Sequence, residues 1–177
     1  LVLRNIPYKI IGGTSFYSRK EIKDVLAYLK TIDNGLDDIA AKRIINVPRR
    51  GIGLATIDKV NDYALQNELS FYETLTRAHY VPGLERSANK ITAFVSMIEG
   101  LKDKLLQESY NISELIDDIM DATGYLKELE KDNSDDSLDR IANIDELVNK
   151  LVSYVETAED TPTLSGFLEE VALVAEI

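Results

Sequence analysis

One segment of the sequence combines residue types and spacing that suit the binding of a phosphate group. Residues 47–60 have the sequence Val-Pro-Arg-Arg-Gly-Ile-Gly-Leu-Ala-Thr-Ile-Asp-Lys-Val. This pattern predicts the end of one helix, a tight turn bracketed by glycines and the start of a second helix. Glycine allows backbone angles and close approaches that a side chain would obstruct. The turn can therefore present backbone N–H groups at a helix N-terminus, whose partial positive charge favours an anion.

Polar and basic side chains flank this turn. Thr56 falls in the first turn of the second helix, where its hydroxyl can donate to the same phosphate, and cationic residues precede and follow the glycines. Such contacts hold a protein on a DNA duplex without reading its bases. The alternative is that the glycines only connect two packed helices. The candidate DNA-binding residues are Arg49, Arg50, Gly51, Ile52, Gly53, Thr56 and Lys59.

A weaker copy of the pattern follows at residues 81–84, which have the sequence Val-Pro-Gly-Leu ahead of another predicted helix. This copy lacks the second glycine and the pair of arginines. We therefore interpret it as a structural copy in preference to a second DNA contact.

The sequence lacks the patterns that other chemistries need. It has no cysteine, and its single histidine, His79, has no second ligand at metal-binding spacing. No phosphate loop of the G-x-x-x-x-G-K-[ST] type and no G-x-S-x-G motif is present. The adjacent acids Asp117 and Asp118 diverge on a helix and make a poor catalytic pair. We therefore predict no catalytic residue, no metal site and no cofactor within this chain, and a stand-alone enzyme is the least favoured interpretation.

Composition and charge set the broad class of the protein. The chain has 177 residues, of which 45% are hydrophobic and 29% charged, as in an ordinary soluble globular domain. No apolar run approaches the roughly 18 residues of a membrane span, and the first residues do not form the basic-then-apolar stretch of a signal sequence, so we expect a cytoplasmic protein without a membrane partner. The sequence begins with Leu and ends within an apolar helical pattern, which suggests a piece of a longer protein.

The net charge of −11 argues against nucleic-acid binding when taken as a whole. Its distribution weakens that argument. Residues 1–60 contain eleven basic and six acidic residues, a charge of +5, whereas residues 61–177 contain nine basic and 25 acidic residues, a charge of −16. We expect two surfaces with different partners. The alternative for the acidic part is a set of solvated helix faces.

Hydrophobic periodicity predicts a mainly α fold of about eight helices around a helix-hairpin-helix-like turn, with one short strand at residues 7–11. Capping patterns place helix starts at Ser18, at Asp37 or Asp38, and at Ser70. Ile39 is among the predicted core positions, and polar residues 131–137 predict a mobile loop. The predicted helices span residues 18–33, 37–47, 55–67, 70–79, 85–107 (the longest), 112–122, 124–131, 143–156 and 163–175.

Three blocks of residues closely resemble the UvrD/PcrA-type superfamily 1 DNA helicases. They are Ile-Pro-Tyr-Lys-Ile-Ile-Gly-Gly at 6–13, Phe-Tyr-Ser-Arg-Lys-Glu-Ile-Lys-Asp at 16–24 and Arg-Ile-Ile-Asn-Val-Pro-Arg-Arg-Gly-Ile-Gly at 43–53. Two later blocks, at 140–147 and 164–173, are similar to the same family in the same order. Between residues 61 and 139 the likeness is mostly one of helical pattern.

This resemblance implies a position within a larger helicase. Residues 1–12 would form the edge of the second motor domain, called 2A, and residues 13–177 the helical 2B subdomain inserted in it. The parent would be an ATP- and Mg-dependent 3′-to-5′ DNA helicase of repair or replication, with its ATP-site motifs outside this chain. The Gly-Ile-Gly turn would contact duplex DNA backbone ahead of the fork, so the partners would be a single/double-strand DNA junction, the motor domains and repair or replication proteins.

A second functional hypothesis comes from the acidic part of the chain. Its helices would dock on partner proteins or on other helicase domains and regulate unwinding through the orientation of the subdomain. Two departures from the family, Ala142 where a glutamate is usual and an acidic segment around 132–139 that has no clear match, leave open any contact made there.

Overall fold

A computed structural model of the chain describes residues 15–175. Residues 15–17 are helical, and from Lys20 onward the described part of the chain forms nine α-helices and two short 3-10 turns, with no strand anywhere in residues 15–175. The strand predicted at residues 7–11 lies outside the described residues. The helices are α1 (Lys20–Asp33), α2 (Asp38–Ile44), α3 (Leu54–Gln66), α4 (Phe71–Thr76), α5 (Ala88–Leu105), α6 (Leu115–Thr123), α7 (Tyr125–Asp132), α8 (Asp135–Thr157) and α9 (Leu164–Ala175), with 3-10 turns at Ala78–Tyr80 and Ile112–Glu114.

Helix α1 is the centre of the fold. It contacts α2, α5, α6, α8 and α9, and most of its length is buried. A helix that is buried on several faces requires apolar residues around most of its circumference. Helix α1 meets this requirement with Ile22, Val25, Leu26, Ala27, Tyr28, Leu29 and Ile32, all of them buried. The mainly helical class predicted from the sequence is confirmed for the described residues.

A buried carboxylate ties α1 to its neighbours. Asp24 is 1% exposed, and its oxygens accept hydrogen bonds from Lys20 at 2.7 Å, from Arg43 of α2 at 2.9 Å and from the Tyr125 hydroxyl of α7 at 2.7 Å. A buried charge is stable only when it is paired and hydrogen-bonded in this way. The network fixes α2, the helix that leads into the Gly-Ile-Gly turn, against α1.

Two predictions about the first helices are wrong. Ser18 does not cap α1, because its hydroxyl donates to the Ser15 carbonyl at 2.7 Å and Arg19 occupies the cap position without a side-chain bond. Ile39 is not a core residue but is 81% exposed. Helix α2 instead buries Ala40 and Ala41, whose small side chains let it approach α1 closely. The predicted caps Asp37 and Ser70 are confirmed, since each accepts a backbone N–H three residues later, at 3.0 Å.

The polar stretch 131–137 is not the loop that its composition predicts. Only two residues, Asn133 and Ser134, separate α7 from α8. Asn133 ends α7 in a left-handed conformation with φ of 50°, and Ser134 starts α8 by accepting the Ser137 N–H at 3.1 Å. Local side-chain caps therefore turn a polar sequence into a helix boundary. As a result α8, with 23 residues, is longer than the 18-residue α5 that was predicted to be the longest helix.

No helix within residues 15–175 combines the length and the apolar character that crossing a membrane requires.

Candidate nucleic-acid interface

A polar side chain holds the turn between α2 and α3 closed. The Asn46 amide donates to the Ile52 carbonyl at 2.6 Å, and the Ile52 N–H donates to the Asn46 side-chain oxygen at 3.0 Å. Ile52 itself is 2% exposed and belongs to the hydrophobic core. Its role in the turn is therefore that of an anchor, because neither its side chain nor its N–H is free to bind a ligand.

The two glycines on either side of Ile52 differ in conformation. Gly51 has φ of +75°, a left-handed conformation that favours glycine. Gly53 has φ of −72° and ψ of 165°, values that any residue can adopt. No atom lies within 4 Å of the position that a Gly53 side chain would occupy. The turn thus needs glycine at 51 for its backbone, whereas at 53 glycine leaves open space in front of α3.

The N-terminus of α3 has no side-chain cap. Gly53 is the N-cap residue, and the first hydrogen bond of the helix runs from the Ile57 N–H to the Gly53 carbonyl at 3.1 Å. The N–H groups of Leu54, Ala55 and Thr56 precede that bond, so they have no partner within the helix. Leu54 and Ala55 are exposed, and Thr56 is half-buried. This arrangement can bind an anion, because the N–H groups and the helix dipole point the same way.

The two adjacent arginines have different environments. Arg49 is exposed. Arg50 is half-buried, and its Nη1 donates to the carbonyl oxygens of Ile44 and Ile45 at 2.7 and 3.1 Å. The sequence places both arginines around the anion, but in the structure only Arg49 is available for this role.

The segment that repeats the Val-Pro and Gly-Leu pattern packs directly beside the turn. Thr56 and Ser87 share a hydrogen bond of 2.9 Å between their hydroxyls. The ammonium group of Lys59 donates to the Gly83 carbonyl at 3.2 Å, and that of Lys90 donates to the Gly51 carbonyl at 3.4 Å. Both lysines are exposed, so each can reach a ligand at the turn as well as a carbonyl.

Lys90 is a candidate that sequence reasoning missed. It lies 39 residues after Gly51, and only the packing of α5 against the turn brings the two together. The weaker Val-Pro-Gly-Leu copy was the available signal, since it marked the segment that carries Lys90.

The second turn already holds a negative charge of its own. A carboxylate oxygen of Glu85 accepts the Gly83 N–H at 3.2 Å. Hydrogen bonds from its own N–H and from that of Gly83 lower the pKa of the Glu85 carboxyl below its usual range. Because this carboxylate already accepts the N–H that a phosphate would need, the geometry favours a structural role for the second turn.

Outside the turn, the histidine that could carry chemistry makes only a structural contact. His79 is exposed and its Nε2 lies 3.1 Å from the Thr92 hydroxyl. No cluster of three or more His, Cys, Asp or Glu side chains within the described part of the chain has the arrangement of a metal site.

The acids of α6 and α8 lie near one another, and the pKa of Asp117 is raised by partial burial and then by the charges of Asp121, Asp118 and Asp145. They form a surface of like charge.

Comparison with known proteins gives this geometry a family context. The family model described as the UvrD-like helicase C-terminal domain matches residues 1–177. The ATP-dependent DNA helicase PcrA of Bacillus subtilis is 39% identical over 177 residues, which are 100% of this chain and 24% of that protein. The PcrA proteins of Staphylococcus epidermidis and Staphylococcus aureus are each 40% identical over 174 residues, 98% of this chain and 24% of theirs. The chain therefore spans about a quarter of the length of these relatives.

Proposed function

This chain belongs to the UvrD-like helicase C-terminal domain family, and on that premise we propose that it is a duplex-DNA-binding accessory subdomain of a helicase. The relatives are ATP-dependent DNA helicases by name. The parent protein would supply the ATP and Mg²⁺ site and the 3′-to-5′ motor from segments outside this chain. Residues 1–12 would belong to the edge of motor domain 2A and residues 13–177 to subdomain 2B, and this chain alone would carry no catalytic activity.

The uncapped N-terminus of α3 beside Gly53 is the observation that supports this role. Three backbone N–H groups, those of Leu54, Ala55 and Thr56, lack partners within the helix, and Gly53 leaves the space in front of them open. A phosphate of the DNA backbone fits the polarity of this position. The contact would involve no base edge, so the binding would be independent of DNA sequence.

Cations around the turn would add to this attraction. Arg49, Lys59 and Lys90 are exposed beside it, and two of them already donate to carbonyls of the two turns. A lysine that is held in this way can keep one hydrogen bond to the protein while it approaches a phosphate. With only a few such groups on a chain of net charge −11, contact with duplex DNA at a single/double-strand junction would be confined to a small patch.

The decisive experiment compares two substitutions of Gly53. Neither Gly53→Ala nor Gly53→Asp strains the backbone, because φ at this position is −72° and, apart from the neighbouring residues in the chain, no atom lies within 4 Å of the new Cβ atom. Asp is a better N-cap than Gly by a few tenths of a kcal/mol, so Gly53→Asp should fold at least as stably as the wild type. Its carboxylate, however, occupies the proposed phosphate position.

Fluorescence anisotropy with a labelled short duplex at low salt measures the outcome. We expect Gly53→Asp to weaken binding by about tenfold or more. Its carboxylate has the same sign of charge as the phosphate, and it accepts the N–H groups that the phosphate would otherwise bind. Gly53→Ala should change the affinity by no more than about threefold. Equal binding by the wild type and Gly53→Asp, with thermal unfolding showing both to be folded, would refute the assignment.

A regulatory role is the second candidate, and the acidic surface of α6 and α8 favours it. Partial burial and then the charges of Asp121, Asp118 and Asp145 raise the pKa of Asp117, and a surface with this many neighbouring carboxylates favours contact with a basic surface. We propose that this surface docks on a motor domain or on a partner protein. Chemical crosslinking of the parent helicase, with and without Asp121→Lys, tests it. Loss of crosslinks from α6 supports docking, and an unchanged crosslink pattern contradicts it.

A further inference from the structure

Leu54 is a large apolar residue that is exposed beside the proposed phosphate site. It is the first residue of α3 and is 81% exposed. The same helix carries a second exposed leucine near its other end, Leu65, which is 79% exposed. The two residues are eleven positions apart, so about 16 Å of helix separates them. Only Leu54 lies at the proposed phosphate site.

The side chain of Leu54 is placed to contact whatever binds at the turn. Side chains of an α-helix tilt toward its N-terminus, so that of Leu54 extends past the N–H groups of α3. Gly53 contributes no side chain, and Ala55 contributes a single methyl group. A ligand that enters the open space in front of Gly53 therefore meets Leu54 beside the N–H groups.

The chemistry of Leu54 distinguishes between anions. A free phosphate or a polyphosphate has no carbon atoms and gains nothing from an apolar neighbour. In a nucleic-acid backbone each phosphate joins two sugars, whose C–H groups form an apolar surface on either side of it. Burial of the leucine against a sugar would remove apolar surface from water, a favourable change that is independent of charge.

We propose that Leu54 is a sugar-contacting residue that makes the site selective for a nucleic-acid backbone over other polyanions. This inference rests on the proposed function of the turn. It assigns the charged part of recognition to the N–H groups and the lysines, and the selectivity for a sugar-phosphate chain to Leu54.

The test uses the full chain and three variants: Leu54→Ala, Leu54→Met and the matched control Leu65→Ala. Binding to a labelled short duplex is followed by fluorescence anisotropy over a range of salt concentrations. Long-chain polyphosphate is then used as a competitor. Both alanine variants remove an exposed leucine from the same helix, and alanine has a high helix propensity, so thermal unfolding should show both to be folded.

We expect Leu54→Ala to weaken duplex binding about three- to tenfold. The slope of affinity against salt should not change, because a neutral side chain releases no counterions. Leu54→Met should bind within about twofold of the wild type, since it keeps an apolar side chain of similar volume. Leu65→Ala should bind like the wild type, and polyphosphate should inhibit all four proteins equally.

Two results would overturn the inference. One is equal duplex binding by Leu54→Ala and Leu65→Ala. The other is an equal loss of duplex and polyphosphate affinity in Leu54→Ala, which would mean that the leucine supports the anion site itself. The Gly53→Asp variant separates this failure from failure of the proposed function: if Gly53→Asp loses binding and Leu54→Ala does not, only the role of Leu54 is wrong.

Discussion

The guanidinium carbon of Arg50 lies 4.8 Å from the centroid of the Phe94 ring. From this position Arg50 donates to the carbonyls of Ile44 and Ile45 at the end of α2, and to the hydroxyl of Tyr28 on α1. A cation that satisfies the last carbonyls of a helix also interacts favourably with the helix dipole. Arg50 therefore joins α1, α2 and α5 and fixes the end of the helix from which the turn departs.

Opposite phenotypes are expected for the two adjacent arginines. Arg50→Ala should lower the free energy of unfolding by about 2–3 kcal/mol, because it leaves the carbonyls of Ile44 and Ile45 without their donor. Arg49→Ala removes an exposed side chain and should change it by less than about 0.5 kcal/mol. Only Arg49→Ala should weaken duplex binding in a protein of unchanged stability. Urea unfolding and fluorescence anisotropy measure the two properties.

The assignment of Arg50 to the core would be contradicted if Arg50→Ala were as stable as the wild type. A second substitution, Arg50→Lys, serves as a control for charge. It keeps the cation but cannot bond both carbonyls and Tyr28 together, so its stability should fall between those of Arg50→Ala and the wild type.

The sequence could not separate the functions of these arginines. Arg49 and Arg50 are the same residue type at adjacent positions, and what distinguishes them is contact with Tyr28 and Phe94, which lie 22 residues earlier and 44 residues later in the chain. The placement of the glycines, Thr56 and Lys59 at the turn and in the helix that follows it was predictable, because a turn and a helix start depend on local sequence. Lys90 was not, because tertiary packing brings it to the turn.

The distinction between features set by local sequence and features set by tertiary contacts also applies to the fold. Helices that begin at a local side-chain cap, such as α2 with Asp37 and α4 with Ser70, were predicted to within a few residues. The prediction failed at Ser18, where a nearby carbonyl competes for the hydroxyl, and at 131–137, where two residues with capping geometry replace a loop. Composition alone does not reveal which of several polar residues will make the cap.

Substitution of Asn46 should open the Gly-Ile-Gly turn. Asn46→Ala leaves both the N–H and the carbonyl of Ile52 without their partner, in a residue that is 2% exposed. We expect the free energy of unfolding to fall by about 2–3 kcal/mol. Duplex affinity should also fall, because the N–H groups of α3 are no longer held in place.

Asn46→Asp gives an informative comparison, since its carboxylate can still accept the Ile52 N–H but repels the carbonyl. It should unfold at a lower urea concentration than the wild type. If both variants keep wild-type stability, the Asn46 bridge does not hold the turn.

The salt dependence of duplex binding should report the number of phosphates that the patch contacts. If Arg49, Lys59 and Lys90 each neutralise one phosphate, the logarithm of the binding constant should fall with the logarithm of salt concentration with a slope of about −2.7. Lys90→Ala should reduce the magnitude of this slope by about 0.9, whereas Thr56→Ala should weaken binding without changing it. A slope unchanged in Lys90→Ala would remove that residue from the interface.

Adjacent acids on α6 should respond oppositely to neutralisation. Partial burial and the charges of Asp121, Asp118 and Asp145 raise the pKa of Asp117. The folded state therefore binds a proton at the Asp117 carboxyl more tightly than the unfolded state does. Its ionised form therefore opposes folding at neutral pH, and stability is gained as the pH falls through the raised pKa. Asp117→Asn should raise the free energy of unfolding at pH 7, by no more than about 0.5 kcal/mol because the residue is largely solvated. The gain should vanish below the ordinary Asp pKa of 3.8, where the wild-type carboxyl is protonated in both states.

Asp118 is the matched control for this prediction. It accepts a hydrogen bond of 2.5 Å from the Tyr110 hydroxyl and lies 3.6 Å from the ammonium group of Lys104. Asp118→Asn weakens both contacts and should lower the free energy of unfolding at pH 7 by about 1 kcal/mol. Urea unfolding at neutral and acidic pH measures both variants. Because burial and like charges act on Asp117 while a donor and a cation act on Asp118, a shift of both variants in the same direction at pH 7 would contradict this account of the acidic surface.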